Sequence, residues 1–242
     1  MRERTGIGAR RFAAVLVAPA LVLSLAQGAG ASPAGSVGAA TGSAVSNAAA
    51  VLTPVRGPDK VLYLTFDDGP VADTTPRLLQ VLARNDARAT FFLVGGTAAR
   101  NKSLVRRIAR EGHAIGNHTQ GHPRLTDLTR RQVRDQLRWA SRAIGPAQGP
   151  CMRPPYGLIN KRVEREARAQ GLTPVMWTGH IDDWHRHTVK WSMSQLRKHT
   201  KPGGIILMHD RNVRTIKAVS RMLPVWRDMG YRLESLPACQ LR

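Results

Sequence analysis

The chain has 242 residues, enough for one sizeable α/β domain with its own core and too few for two. Lys and Arg outnumber Asp and Glu by 37 to 16, giving a net charge of +21, a balance that usually points to nucleic acid. That class is excluded by the lack of a nucleic-acid-binding motif and by a sparse set of stacking side chains, five Trp, three Tyr and four Phe.

Arg2, Arg4, Arg10 and Arg11 precede an apolar stretch from Phe12 to Leu25, which closes in the small residues Ala29-Gly30-Ala31. This is the pattern of an export signal, residues 1–31. Pro19 interrupts the stretch, and about 14 residues fall short of the roughly 20 that a spanning helix needs, so no membrane anchor is expected after the signal is removed. Its removal takes away four Arg and one Glu and leaves a charge of +18. Residues 32–58 are Ala, Gly, Ser, Thr and Pro with scarcely a large apolar side chain and are expected to form a flexible linker. The folded domain is expected over residues 59–240. An exported chain also lets Cys151 and Cys239 form one bridge, which would stabilise the fold by roughly 4 to 5 kcal/mol through loop closure.

Within the domain, Val61-Leu62-Tyr63-Leu64 reads as a buried strand that runs into Thr65-Phe66-Asp67-Asp68-Gly69-Pro70. Thr75-Pro76 predicts an N-cap and first helical position, with Leu78, Leu79 and Leu82 on one face. A strand at 89–94 is followed by a helix carrying Leu104, Val105 and Ile108, stopped by Gly112, and by a short extended piece at 113–116. Thr129 with Gln132 forms a capping box for a helix with Val133, Leu137, Ala140 and Ile144 at helical spacing. Asn160 caps a helix ending at Gly171, residues 173–178 read as a strand, Thr188 starts another helix, and 204–208 is a continuous apolar strand. The last helix, near 215–229, contains Pro224 and is expected to kink or split there. Residues 231–236 close the chain as a strand. This alternation argues for a mostly parallel sheet wrapped by helices, open or closed into a barrel, with its chemistry at the carboxyl ends of the strands.

Those ends are where polar groups collect. Asp67 and Asp68 are adjacent carboxylates that need a counter-charge, a metal or a shared proton. His118 and His122 stand four positions apart, a spacing that suits two ligands of one ion. With one Asp of the pair they make a two-His, one-carboxylate set with a position left for water, and the neighbouring Asp is left to act as a base. Arg153-Pro154-Pro155-Tyr156-Gly157 places a guanidinium where it can orient a carboxylate, and two further segments, Asp182-Asp183-Trp184 and Leu207-Met208-His209-Asp210, also follow predicted strands.

In Thr65-Phe66-Asp67-Asp68-Gly69, His118-Thr119-x-x-His122, Arg153-Pro154-Pro155-Tyr156, Asp183-Trp184 and Leu207-x-His209, the stretch from Val61 to Leu236 resembles the polysaccharide deacetylases with the NodB-homology domain, carbohydrate esterase family 4. The resemblance implies a distorted (β/α) barrel and metal-dependent hydrolysis of N-acetyl, less often O-acetyl, groups. It implies that Asp68, His118 and His122 bind a divalent metal, zinc first, with cobalt or another ion as substitutes. Asp67 is then the general base, His209 the acid that protonates the sugar amine, Tyr156 the oxyanion donor through its N–H, and Arg153 the group that orients Asp67, itself oriented by Asp183. Trp184, Leu207 and Pro155 would contact substrate. One position departs from the family pattern: His180 stands where an Asp is common, with Asp182 close by as a substitute.

The expected protein is therefore a secreted, monomeric deacetylase of N-acetylglucosamine-containing glycans, peptidoglycan or chitin oligosaccharides. Its basic surface suits anionic cell-wall polymers. An O-acetyl esterase on acetylxylan, or a non-catalytic wall-binding module, is the alternative.

Overall fold

The computed structural model describes residues 60–241. The export-signal and linker expectations, and the first residue of the expected domain, lie outside the described residues. Eight strands form one sheet among them: β1 (Val61–Asp67), β2 (Thr90–Leu93), β3 (Ala114–Asn117), β4 (Cys151–Met152), β5 (Thr173–Pro174), β6 (Gly179–His180), β7 (Gly204–His209) and β8 (Arg232–Glu234). They alternate with α1 (Thr75–Ala83), α2 (Gly95–Arg100), α3 (Lys102–Arg110), α4 (Arg130–Ile144), α5 (Lys161–Arg168), α6 (Val189–His199) and α7 (Val213–Asp228). The strand order is β5-β4-β3-β2-β1-β7-β6, and every pairing is parallel. β8 pairs with the first half of β1, at Val61 to Tyr63, whereas β2 pairs with its second half, at Thr65 to Asp67. The result is a curled half-barrel, the distorted (β/α) barrel implied by the sequence motifs.

β1 sits at the centre. Leu62, Leu64 and Phe66 are fully buried, as a strand covered by helices requires, and they pack in one core with Leu78, Leu79 and Leu82 of α1, Ile206 and Met208 of β7, and Val219, Met222, Leu223 and Trp226 of α7. A second core joins Val133 and Leu137 of α4 to Met152, Val163, Ala167 and Leu172. Each large core side chain contributes roughly 1.5–3 kcal/mol of transfer free energy, so these two clusters fix the sheet from which the site projects. Cys151 of β4 and Cys239, in the short 3-10 turn Pro237–Cys239, are disulfide-bonded across 88 residues.

The caps on α4, α5 and α6 follow the sequence. Thr129 and Gln132 make the reciprocal capping box, Asn160 accepts from the Val163 N–H, and Thr188 accepts from the Trp191 N–H. Four details differ. The N-cap of α1 is Thr74, not Thr75, whose hydroxyl turns inward to Asp210. Residues 95–100 form α2, which has too little apolar periodicity to announce a helix. The strand expected over 173–178 shrinks to β5, with β6 a separate strand on the far edge of the sheet. α7 runs through Pro224 unbroken, because Pro224 and Ser220, whose carbonyl loses its helical partner there, both face solvent.

Candidate active site

Strand register brings the chemistry together. Asp67, the last residue of β1, lies opposite His209, the last residue of β7, so two groups 142 positions apart become lateral neighbours at the carboxyl edge. Past Asp67 the chain turns sharply, with Asp68 in the left-handed region at φ 75°. His122 also adopts positive φ, 59°, which returns its ring towards His118; the two rings stand 4.9 Å apart.

Asp68 Oδ1 is buried without a hydrogen-bond donor, 3.2 Å from His122 Nε2 and 3.6 Å from His118 Nε2. The three candidate ligand atoms lie within 4.8 Å of one another. The His118 Nδ1–H donates to the Arg153 carbonyl at 2.7 Å, which fixes the tautomer and leaves Nε2 as a lone pair aimed at Asp68. Burial, then the neighbouring His118, hold the His122 imidazole below its ordinary pKa, so its neutral, ligating form prevails at pH 7. Two lone-pair nitrogens converging on an orphaned buried carboxylate oxygen fit a divalent cation, and the mixed nitrogen and oxygen set suits zinc or a similar ion.

Asp67 is 3% exposed, and its Oδ1 accepts from Arg153 Nη1 at 2.9 Å, while Oδ2 lies 3.8 Å from His118 Nε2. Arg153 is fully buried. Each of its three nitrogens is engaged, Nη1 also with the Thr65 hydroxyl at 2.7 Å, Nε with the Val175 carbonyl at 3.1 Å and Nη2 with the Met176 carbonyl at 3.0 Å. Its guanidinium also lies over the Phe92 ring, 4.2 Å from the centroid. Burial lowers the Arg153 pKa, and the Asp67 charge works against that shift. The pair therefore holds one oxygen of Asp67 rigidly and leaves the other facing the cavity.

Asp183 is not beside Arg153. Its Oδ1 accepts from His209 Nδ1 at 2.7 Å, and its Oδ2 accepts from the His209 N–H at 2.9 Å and the Thr215 hydroxyl at 2.6 Å. This corrects the orienting role expected for Asp183: the β6–α6 loop delivers it to the imidazole, and the Val175 and Met176 carbonyls supply what Arg153 needs. Asp182 does not replace the missing acid either, because it faces His185 and His187. Burial alone would push the His209 imidazole down, but the Asp183 hydrogen bond and charge, followed by Asp67 and Asp68, raise its pKa to about 8.

Asp67, Asp68, His118, His122, Tyr156, Trp184, Leu207 and His209 all line one cavity of about 620 Å³. Tyr156 is strained into positive φ, 60°, in the turn Pro155–Gly157, and its ring packs edge-on to His122. Pro155 does not line the cavity. It is buried, and Pro154 forms the wall there, which moves the expected substrate contact by one residue. The sequence reading also missed Trp177 and Arg211 in the lining; Arg211 Nη1 lies 3.6 Å from Asp68 Oδ2. Their positions, at the end of the expected strand 173–178 and two residues after His209, were the available signals.

A polysaccharide deacetylase family model matches residues 55–175. The chain is 36% identical over 193 residues to the chitooligosaccharide deacetylase of Sinorhizobium fredii, covering 73% of this chain and 90% of that one. It is 33% identical over 186 residues to the peptidoglycan-N-acetylglucosamine deacetylase PgdA of Listeria monocytogenes, covering 76% of this chain but only 39% of that longer protein. Among solved structures it superimposes on the family 4 carbohydrate esterase of Streptomyces lividans, in complex with acetate, with a TM-score of 0.68 and 32% identity, over 73% of this chain and 92% of that one. Sequence motifs, half-barrel and site geometry converge with these likenesses: the chain belongs to the polysaccharide deacetylases, hydrolases of carbohydrate esterase family 4.

Proposed function

We propose that this polysaccharide N-deacetylase is exported and removes acetyl groups from N-acetylglucosamine units of peptidoglycan, with chitin oligosaccharides as related substrates, using one divalent cation held by Asp68, His118 and His122. The observation that carries the reading is the joint placement of an acid-base pair and a ligand set in one cavity: Asp67 on β1 beside His209 on β7, with the orphaned Asp68 oxygen facing two imidazoles. The likeness to a chitooligosaccharide deacetylase and a peptidoglycan deacetylase supports the substrate class. The basic charge supports a wall rich in anionic polymers, and the Arg-led apolar stretch of residues 1–31 supports export.

When bound, the cation supplies Lewis acidity towards water and the acetyl carbonyl. Every other task falls to the chain. Asp67, held in place by Arg153, takes a proton from the attacking water on its open oxygen. Hydroxyl adds to the acyl carbon, and the Tyr156 N–H stabilises the charge that develops on the carbonyl oxygen. His209, protonated through its pairing with Asp183, gives its proton to the sugar nitrogen as the C–N bond breaks, leaving acetate and a free amine. Trp184 and Leu207 shape the acetyl pocket and keep it apolar. Acetate release by the zinc-loaded chain on peptidoglycan, chitooligosaccharide and acetylxylan, run side by side, tests the reading. Release from the first two and not from acetylxylan is expected; turnover of acetylxylan alone would make the chain an O-acetyl esterase.

A further inference from the structure

A second set of ligating side chains lies outside the cavity, on the loop between β6 and α6. Its sequence, Asp182-Asp183-Trp184-His185-Arg186-His187, places Asp182, His185 and His187 on one side of a tight turn. His185 Nδ1 and His187 Nε2 approach the same oxygen of Asp182, at 2.9 and 3.1 Å, and the three ligand atoms fall within 4.8 Å of one another. The backbone is committed to this arrangement. Asp182 takes positive φ, 51°, the His185 N–H donates to the Asp182 carbonyl, and the His187 N–H donates to the His185 carbonyl. His187 is further pinned by stacking on Trp191 of α6, with centroids 3.6 Å apart.

We propose that Asp182, His185 and His187 form a second metal site, for a divalent ion of the zinc, nickel or copper type. Two imidazoles and a single carboxylate form a nitrogen-rich set, which such ions prefer and which magnesium and calcium do not. Three protein ligands leave positions open to water or to an anionic group of the substrate polymer. Asp182 and His187 are half-buried and His185 is exposed, with Arg186 between the two histidines, so this site binds more weakly than the cavity set. Its placement has a structural consequence. The residues next in sequence are Asp183, which holds His209, and Trp184, which lines the cavity, so an ion here braces the segment that presents both.

The test is metal stoichiometry of the full chain, stripped with chelator, dialysed against zinc or nickel, and measured by plasma mass spectrometry. Saturation at about two ions per chain is expected, falling to about one in the His185→Ala/His187→Ala variant and to about one, by loss of the other ion, in Asp68→Ala/His122→Ala. His180→Ala/His199→Ala, which alters the neighbouring imidazole pair, should keep both. The variant His185→Gln/His187→Gln retains hydrogen-bonding side chains on the loop, and its loss of the ion with an unchanged circular dichroism spectrum separates coordination from collapse of the turn. Saturation of the parent chain at one ion, survival of the second ion in either His185/His187 variant, or its loss with His180 and His199 would overturn the proposal.

Discussion

At the residue scale the site is a set of paired charges, and each pair makes a separate prediction. Asp183 is the reason that a mostly buried His209 carries a proton at neutral pH. The imidazole must be protonated to serve as the acid, so activity falls as pH rises through its pKa of about 8. Asp183→Asn keeps the shape but removes the charge, and burial, opposed then only by Asp67 and Asp68, pulls the imidazole down. The alkaline limb of kcat/KM should move to lower pH, with a loss of about ten- to a hundredfold at pH 8. An unmoved limb would show that Asp183 only shapes the loop. Asp68→Ala removes one of the three proposed ligands and should weaken zinc binding by about a hundredfold or more in a calorimetric titration, with acetate release lost in parallel.

Asp210 offers a pH test of stability. It is fully buried behind the Asp67-Asp68 turn, it accepts from the Thr75 hydroxyl, and a Cβ at position 69 would run into its carboxylate, which is why glycine stands there. Burial, then Thr75 against it and Asp68 with it, brings its pKa up to about 7. A carboxyl group with a raised pKa in the fold contributes stability below its unfolded value, near 4, and loses that contribution as pH climbs through about 7. Asp210→Asn should therefore gain on the parent between pH 5 and 8, by up to a few kcal/mol in urea melts of the metal-free chain. A constant difference across that range would mean that Asp210 stays ionised in the fold.

At the element scale, most of what places these residues was legible. The hydrophobic run of β1, the capping signals of α4, α5 and α6, and the apolar β7 are local patterns, and local physics decides them. What escaped depends on contacts between distant elements. α2 has no apolar stripe because it packs by close approach: a Cβ on Gly95 would lie 2.6 Å from the Ala140 Cα of α4. Gly95→Ala should therefore destabilise the fold by roughly 1–3 kcal/mol, measured by urea unfolding, even though alanine is the better helix former. The proposed metal ligands and base were named from motif resemblance and meet in one cavity, whereas the partner of Asp183 was not readable. Whether it faces Arg153 or His209 depends on where the β6–α6 loop crosses the sheet edge, which no spacing encodes.

At the scale of the whole molecule, the closing bridge and the charge are properties that no single element owns. Cys151–Cys239 ties β4 to the end of the described chain, and closing a loop of that length predicts roughly 4 to 5 kcal/mol of stabilisation that Cys151→Ala/Cys239→Ala should remove. The charge was legible in the sequence, but its distribution was not. Much of it spreads over outer helix faces: on α4, Arg134 leans towards Glu166 and Arg138 pairs with Asp135, while Arg130 and Arg131 are mostly exposed. Exposed ion pairs of this kind contribute little to stability, so the surplus is better understood through what it attracts. Arg211 at the cavity wall is a separate case, since its guanidinium, though exposed, reaches Asp68. If the helix faces draw the enzyme to an anionic wall, adsorption to wall fragments should fall steeply between about 50 and 500 mM salt, while turnover of a short neutral chitooligosaccharide changes little. Reversing Arg131 and Arg142 to Glu should weaken adsorption and spare kcat on the oligosaccharide, because neither residue lies in the cavity lining. Equal losses on both substrates would place the effect of the charge inside the site.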